Sequence, residues 1–262
     1  MSKKKRNREI VAVPLSPQVL AGQGLLAPLP AIRKEGGNAW EATFTEWSCH
    51  GYKFFGNKNA GAISIKRYST KDGKFRFESK REIHNVGGLR TRINIDAECE
   101  DGLLPQPVKW SYDHKVTGPD GVADPLLSLG KRYEVRSGKI RSQSVIGKQR
   151  QRLSSQACDE LLLFDAVRRL PKTDTQHRFD LLESFSNLKT GHSFGFDSNR
   201  KYTLADGREL ECFVGQGPGT LPYEYWTHDG DPLFYISFLR VLVRDDDAFS
   251  KIGKAFKFPK TS

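Results

Sequence analysis

The side chains best able to do covalent or metal chemistry are scattered along this chain rather than gathered. Six histidines, His50, His84, His114, His177, His192 and His228, never fall into the HxH or HExxH spacings that turn two imidazoles toward one metal. Four cysteines, Cys49, Cys99, Cys158 and Cys212, lack the two-residue spacing of a zinc knuckle or a redox dithiol. In an oxidising compartment they would allow three disulfide connectivities, and four unpaired thiols are the equal alternative. No GxSxG elbow and no P-loop occurs, and Gly215–Gly219 (GQGPG) is not followed by a helical pattern, so it reads as a loop or bulge between strands. Glu98, Glu100, Asp101, Glu209 and Glu211 alternate with apolar residues and are expected on outward faces, whereas a glycosidase pair must face across a cleft of about 5 to 10 Å. His228-Asp229, on a turn beside Trp226, is a candidate site edge. The sequence therefore assigns no catalytic residue, no metal ligand and no cofactor.

Two groupings suit non-covalent binding better. Between Lys131 and Arg152 stand Lys131, Arg132, Arg136, Lys139, Arg141, Lys148, Arg150 and Arg152 against one acid, Glu134. This is a candidate polyanion surface. Tyr133 is its one aromatic residue and no nucleic-acid recognition motif is present, which disfavours a base-stacking mode. The second grouping is aromatic. Phe75, Phe77, Trp110, Tyr112, Tyr225 and Phe234, with Trp40 and Phe44, fall on expected inward rows, where they would line an apolar ligand site or fill an ordinary core.

These residues sit on a chain patterned for strands. Phe75, Phe77, Ser79, Arg81 and Ile83 alternate with Lys74, Arg76, Glu78, Lys80 and Glu82. After Gly87-Gly88, Leu89 to Glu100 alternates as cleanly, and Val108 to Val116 continues. Tyr133 to Arg141 reads as a hairpin about Ser137-Gly138. Successive strands with no helix between them must pair antiparallel. One helix is expected, capped by Ser154 or Ser155, running through Asp159 to Arg169 and stopped by Pro171. Beyond it, Asp206-Gly207 and Asp229-Gly230 mark further hairpins, and Leu233 to Arg244 reads as one central strand, apolar on both faces.

At 262 residues, 37% hydrophobic and 28% charged, with 24 Gly and 13 Pro, the chain has the composition of a loop-rich globular β protein. Its net charge of +11 suits polyanionic partners. The first residues hold a basic cluster, Lys3 to Arg8, then a long uncharged stretch ending in Pro28-Leu29-Pro30-Ala31. That is the layout of a signal peptide, with Arg8-Glu9-Ile10-Val11 imperfectly matching a twin-arginine core. The uncharged stretch is too interrupted by Pro14, Pro17, Gln18 and Gln23 for a spanning helix. Residues 1–31 are thus read as a signal-like segment, 38–244 as one antiparallel β domain, and 245–262 as a basic tail whose end, Lys251 to Ser262, is expected to be poorly ordered.

Three stretches carry a resemblance: CEDGLLPQPVKWSY from Cys99 to Tyr112, ELLLFDAVRRLP from Glu160 to Pro171, and GTLPYEYWTHDGDPLFYISF from Gly219 to Phe238. They resemble a family of exported bacterial proteins of unknown function, similar in fold to the periplasmic lipoprotein carriers. The resemblance implies a curved antiparallel sheet, or incompletely closed β-barrel, with a helix packed in its mouth. It brings no catalytic residue. The chain departs from the carriers in lacking an apolar hook loop and in charging its strands, which weighs against a lipoprotein client. Together these readings point to a periplasmic or extracellular, non-enzymatic binding or carrier protein for an apolar or amphipathic ligand, whose basic face meets an envelope polyanion. The alternatives are a cytoplasmic polyanion or nucleic-acid binder using the basic N-terminal arm, and an enzyme acting on envelope polysaccharide.

Overall fold

The computed structural model describes residues 15–26, 29–30, 39–50, 53–54, 59–70, 72–144, 147–237 and 240–254. The basic cluster of the signal-like segment and the tail from residue 255 lie outside them. Sixteen strands are found among the described residues. The first half holds β1 (Trp40–His50), β2 (Lys53–Phe54), β3 (Gly61–Ser69), β4 (Lys74–His84), β5 (Arg90–Glu100), β6 (Gln106–Thr117), β7 (Leu129–Arg136), β8 (Lys139–Ser144) and β9 (Gly147–Arg152). The second holds β10 (Ala157–Asp159), β11 (His177–Glu183), β12 (Asn187–Thr203), β13 (Glu209–Gly217), β14 (Thr220–His228), β15 (Asp231–Ile236) and β16 (Arg240–Arg244). Short helices are α1 (Pro17–Gly22), α2 (Leu163–Ala166) and α3 (Ala248–Lys251).

One sheet contains all the strands, in the order β10-β11-β12-β13-β14-β15-β16-β1-β3-β4-β5-β6-β7-β8-β9, with β2 paired to β1 alone. All pairings are antiparallel except β10 with β11. Two meanders are thus joined where β16 pairs β1, with Phe44 opposite Arg244. The path ends in two free edges, so the sheet does not close.

Its curvature follows from what the segment around α2 touches. Phe164 lies 4.9 Å from Phe44 of β1 and 5.0 Å from Tyr225 of β14, while Phe185 lies 5.9 Å from Phe77 of β4. Trp110 of β6 donates its indole N–H to the Phe185 carbonyl at 2.9 Å. Phe164 on α2 and Phe185 in the β11–β12 turn join one core with residues of β1, β4, β6 and β14, and strands so far apart in the sheet order share a core only if the sheet curves round it. The result is the expected curved, incompletely closed antiparallel sheet with a helix in its mouth.

Two elements differ from the sequence reading. The expected helix from Asp159 to Arg169 is α-helical only over Leu163–Ala166. Ser154 and Ser155 cap nothing: both give backbone N–H and hydroxyl hydrogen bonds to the Asp180 carboxylate at 2.6 to 3.2 Å. That grip holds the chain extended into β10, and the helical turns begin only afterwards. The last apolar stretch is not one strand but the β15–β16 hairpin, with Phe234 opposite Val243 and Ile236 opposite Val241. Both faces are apolar because both are covered. Tyr235 and Leu242 enter the trough core, while Phe234, Val241 and Val243 belong to a second core on the outer side.

That outer core is closed by residues from the uncharged N-terminal stretch. Leu20, Leu25, Leu26 and Leu29 are buried against Trp47, Leu210, Cys212, Trp226 and Val243.

Candidate functional site

The aromatic row is divided by the sheet. Phe75, Phe77, Trp110 and Tyr225 are fully buried in the trough core, and Tyr112 stands half-buried beside them. Trp110 stacks on Tyr133 at 4.8 Å and 6°. Phe234 faces the other way, stacked at 5.8 Å on Trp226 in the outer core. In the β14–β15 register Tyr225 meets Tyr235 and Trp226 meets Phe234, so the neighbours of the sequence row are on opposite faces.

What fills the trough is held by buried charge. Asp165 on α2 accepts from Trp40 Nε1 at 2.8 Å and Arg67 Nη1 at 2.7 Å, and pairs with Arg169. Arg67 and Arg169 both reach Asp101 at 2.6 Å, and the Arg67 guanidinium lies 4.0 Å over Phe75. Asp159 accepts the backbone N–H groups of Leu161 and Phe185 at 2.7 and 2.6 Å. Burial, with the charge of Glu160, pushes its carboxyl well above the usual range, and those two N–H groups pull it back in part. At Glu46 burial acts in the same direction, but the Arg81 guanidinium outweighs it and brings the carboxyl below its ordinary value. None of these partners was legible in the sequence. Arg67 and Arg81 merely continue inward rows, and their acids lie up to 98 residues away.

A polar cleft of about 370 Å³ opens beside β12 and β13, lined among others by Lys172, Lys201, Tyr202, Glu209, Glu211 and His228. The sequence expected Glu209 and Glu211 to face solvent on the outer side. They share instead the face of Phe213, a trough-core residue, because their neighbours Leu210 and Cys212 are taken by the outer core. Glu211 pairs with Lys172 at 2.5 Å, and His228 Nδ1 meets the Glu209 carbonyl at 2.8 Å. The two carboxylates stand side by side on one strand, which is not the opposed pair that glycoside hydrolysis uses. Among the described residues no group of three or more His, Cys, Asp or Glu is placed to hold a metal.

The cationic residues come together most completely. In the β7–β8 register Arg136 is opposite Lys139 and Glu134 opposite Arg141; across β8–β9, Lys139 faces Arg152, Arg141 faces Arg150, and Gln143 faces Lys148. Alternation then puts Arg132, Arg136, Lys139, Arg141, Lys148, Arg150 and Arg152 on one face. It is the outer face, because Tyr133 and Ile140 on the opposite parity are buried in the trough core. Lys131 shares the parity of Tyr133 and points to the other side. Every residue of β9 is exposed. Neighbouring strands lie about 4.8 Å apart and alternate residues about 6.8 Å apart along a strand, so the seven cations form a close lattice.

Next door, on β4 to β6, the same outer face is charge-balanced: Arg76 grips Asp96 at 2.9 Å and Arg92 meets Glu82 at 3.1 Å. On β7 to β9 the one ion pair among the described residues is Arg136 with Glu134 at 2.8 Å. Like charges directly opposite on adjacent strands are destabilising. An anion laid across the lattice would remove that cost.

The fold has a counterpart among solved structures. The crystal structure of a beta-barrel-like protein of domain of unknown function DUF1849 from Brucella abortus aligns with a TM-score of 0.50, covering 78% of this chain and 94% of that one. Identity is 7%, so the likeness is one of fold alone. No family model and no curated protein matches the chain. No helix among the described residues is long and apolar enough to cross a membrane.

Proposed function

We propose that this is a binding protein for a linear polyanion, held on the outer face of β7, β8 and β9. The carrying observation is the lattice of seven cations with a single internal acid. Mutually repelling side chains this close are held at a cost, and an anionic polymer offsets it. Aromatic residues are absent from the lattice, since Tyr133 turns inward, so contact goes to repeated charged groups and not to bases. An acidic polysaccharide or phosphodiester polymer fits that chemistry. Nucleic acid is the comparison it must be tested against.

The test is titration of the full chain with an acidic polysaccharide and with duplex DNA at low salt, alongside the variant Lys139→Glu/Arg141→Glu/Arg150→Glu. The wild type is expected to bind the polysaccharide, and the variant to lose at least tenfold in affinity while keeping its melting temperature. Equal affinities for the two proteins would overturn the reading. Preference for DNA would move the occupant to nucleic acid on the same surface.

The apolar-ligand carrier is the second reading, and one observation favours it. A single segment, Ala157 to Leu170, with Phe185 beside it, fills the trough, so one movement would clear the row of Phe75, Phe77 and Trp110. The anchors at Asp159 and Asp165 oppose that movement. Solvent extraction of protein from its native host, followed by mass spectrometry, would find a stoichiometric lipid if the trough opens and none if it does not.

A further inference from the structure

We infer that residues Ser16 to Leu26, with Leu29 and Pro30, are a permanent strap of the folded protein and remain on the mature chain, in place of the removable leader that their composition imitates. The segment has its own folding signals. Ser16 caps α1 by accepting from the Val19 N–H at 3.3 Å, and a proline opens the first turn. Gly24, at φ 72°, ends it: the Gly24 N–H reaches the Ala21 carbonyl at 2.8 Å and the Leu25 N–H the Leu20 carbonyl at 3.0 Å. That is a Schellman stop, in which Leu25 and Leu20 occupy the positions that usually make the accompanying apolar contact.

The strap also fits what lies beneath it. Leu20 is 0% exposed, Leu25 and Leu29 7%, and Leu26 6%. They cover Trp47, Trp226, Phe234 and Val241, outer-face residues of strands whose inner face is already buried in the trough core. Arg208 closes the far end. Its guanidinium, oriented by Asp206 at 2.6 and 2.9 Å, reaches the carbonyls of Leu29 and Pro30 at 3.3 Å. Uncovered, this face would be a contiguous apolar patch of the kind that drives aggregation. The inference stands independently of the polyanion reading.

Two chains decide it: one lacking residues 1–14 and one lacking 1–31. The first is expected to melt within about 3 °C of the full chain and stay monomeric. The second is expected to lose about 10 °C or more, to bind an apolar dye, or to fail to fold. Leu20→Ala in the full chain keeps the test open if the longer truncation is insoluble, with a drop of about 5 °C expected. Peptide mapping of the protein from its native host should recover residues 16–30. A mature chain beginning near Ile32, or a 32–262 chain as stable as the whole, would overturn the strap.

Discussion

Asp165 is the residue on which the trough closes. It joins Trp40, Arg67 and Arg169 from three separate parts of the chain, and Arg67 is only 3% exposed. Asp165→Ala removes one carboxylate from that buried guanidinium, a loss of about 3 to 5 kcal/mol for breaking a buried pair. Calorimetry should record a melting temperature lower by about 10 °C; a change under about 2 °C would mean that the network is idle. Asp180 makes a pH-dependent contribution. Its burial raises the carboxyl pKa, but the hydroxyls and N–H groups of Ser154 and Ser155 outweigh that and leave it below its usual value. An unfolded aspartate titrates near about 3.9, so this stability is full above about pH 5 and is lost as pH falls through that value toward the folded one. Asp180→Asn should therefore melt below the wild type at pH 7, and the gap should narrow at pH 3. A gap that is constant with pH would contradict the assignment.

Among the elements, β13 shows how glycines serve packing. A Cβ on Gly215 would fall 1.9 Å from the Tyr223 ring, and one on Gly217 would fall 2.5 Å from the His192 ring. Each glycine lets a ring lie over the backbone, and the register shifts between them, which is the bulge expected from GQGPG. Gly215→Ala should cost about 1 to 3 kcal/mol by urea unfolding, the typical penalty of overpacking a tight site. Strands β4 to β6 were legible because one face is mostly charged and the other mostly apolar, so period two is plain, and β7 and β8 were marked by the turn at Ser137-Gly138. The β15–β16 hairpin was not, since with both faces covered the alternation disappears and only the partly polar turn at Ser237 separates two apolar runs. Residues 154–171 read as a helix because leucine spacing suits one, yet Ser154 and Ser155 were claimed by Asp180, a partner 25 and 26 residues on.

At the scale of the whole molecule, the sheet has an outer surface of three characters: an apolar region under the strap, a charge-balanced region on β4 to β6, and a cationic region on β7 to β9. The excess of lysine and arginine in residues 131–152 was plain in the sequence. That seven of the eight share one face depended on strand register, which the β7–β8 and β8–β9 pairings fix. The aromatic row could not be resolved the same way, because Tyr225 and Phe234 lie on strands apolar on both sides.

The central claim is that the β7–β9 face binds by charge. The most direct measurement is the dissociation constant for an acidic polysaccharide over a range of salt, for the wild type and for Arg141→Ala/Lys148→Ala/Arg150→Ala. Each cation lost from the contact removes about one unit from the slope of log affinity against log salt. The account predicts a steep wild-type slope that falls by about two to three units in the variant, at unchanged melting temperature. The same slope for both proteins, or no binding at low salt, would contradict it.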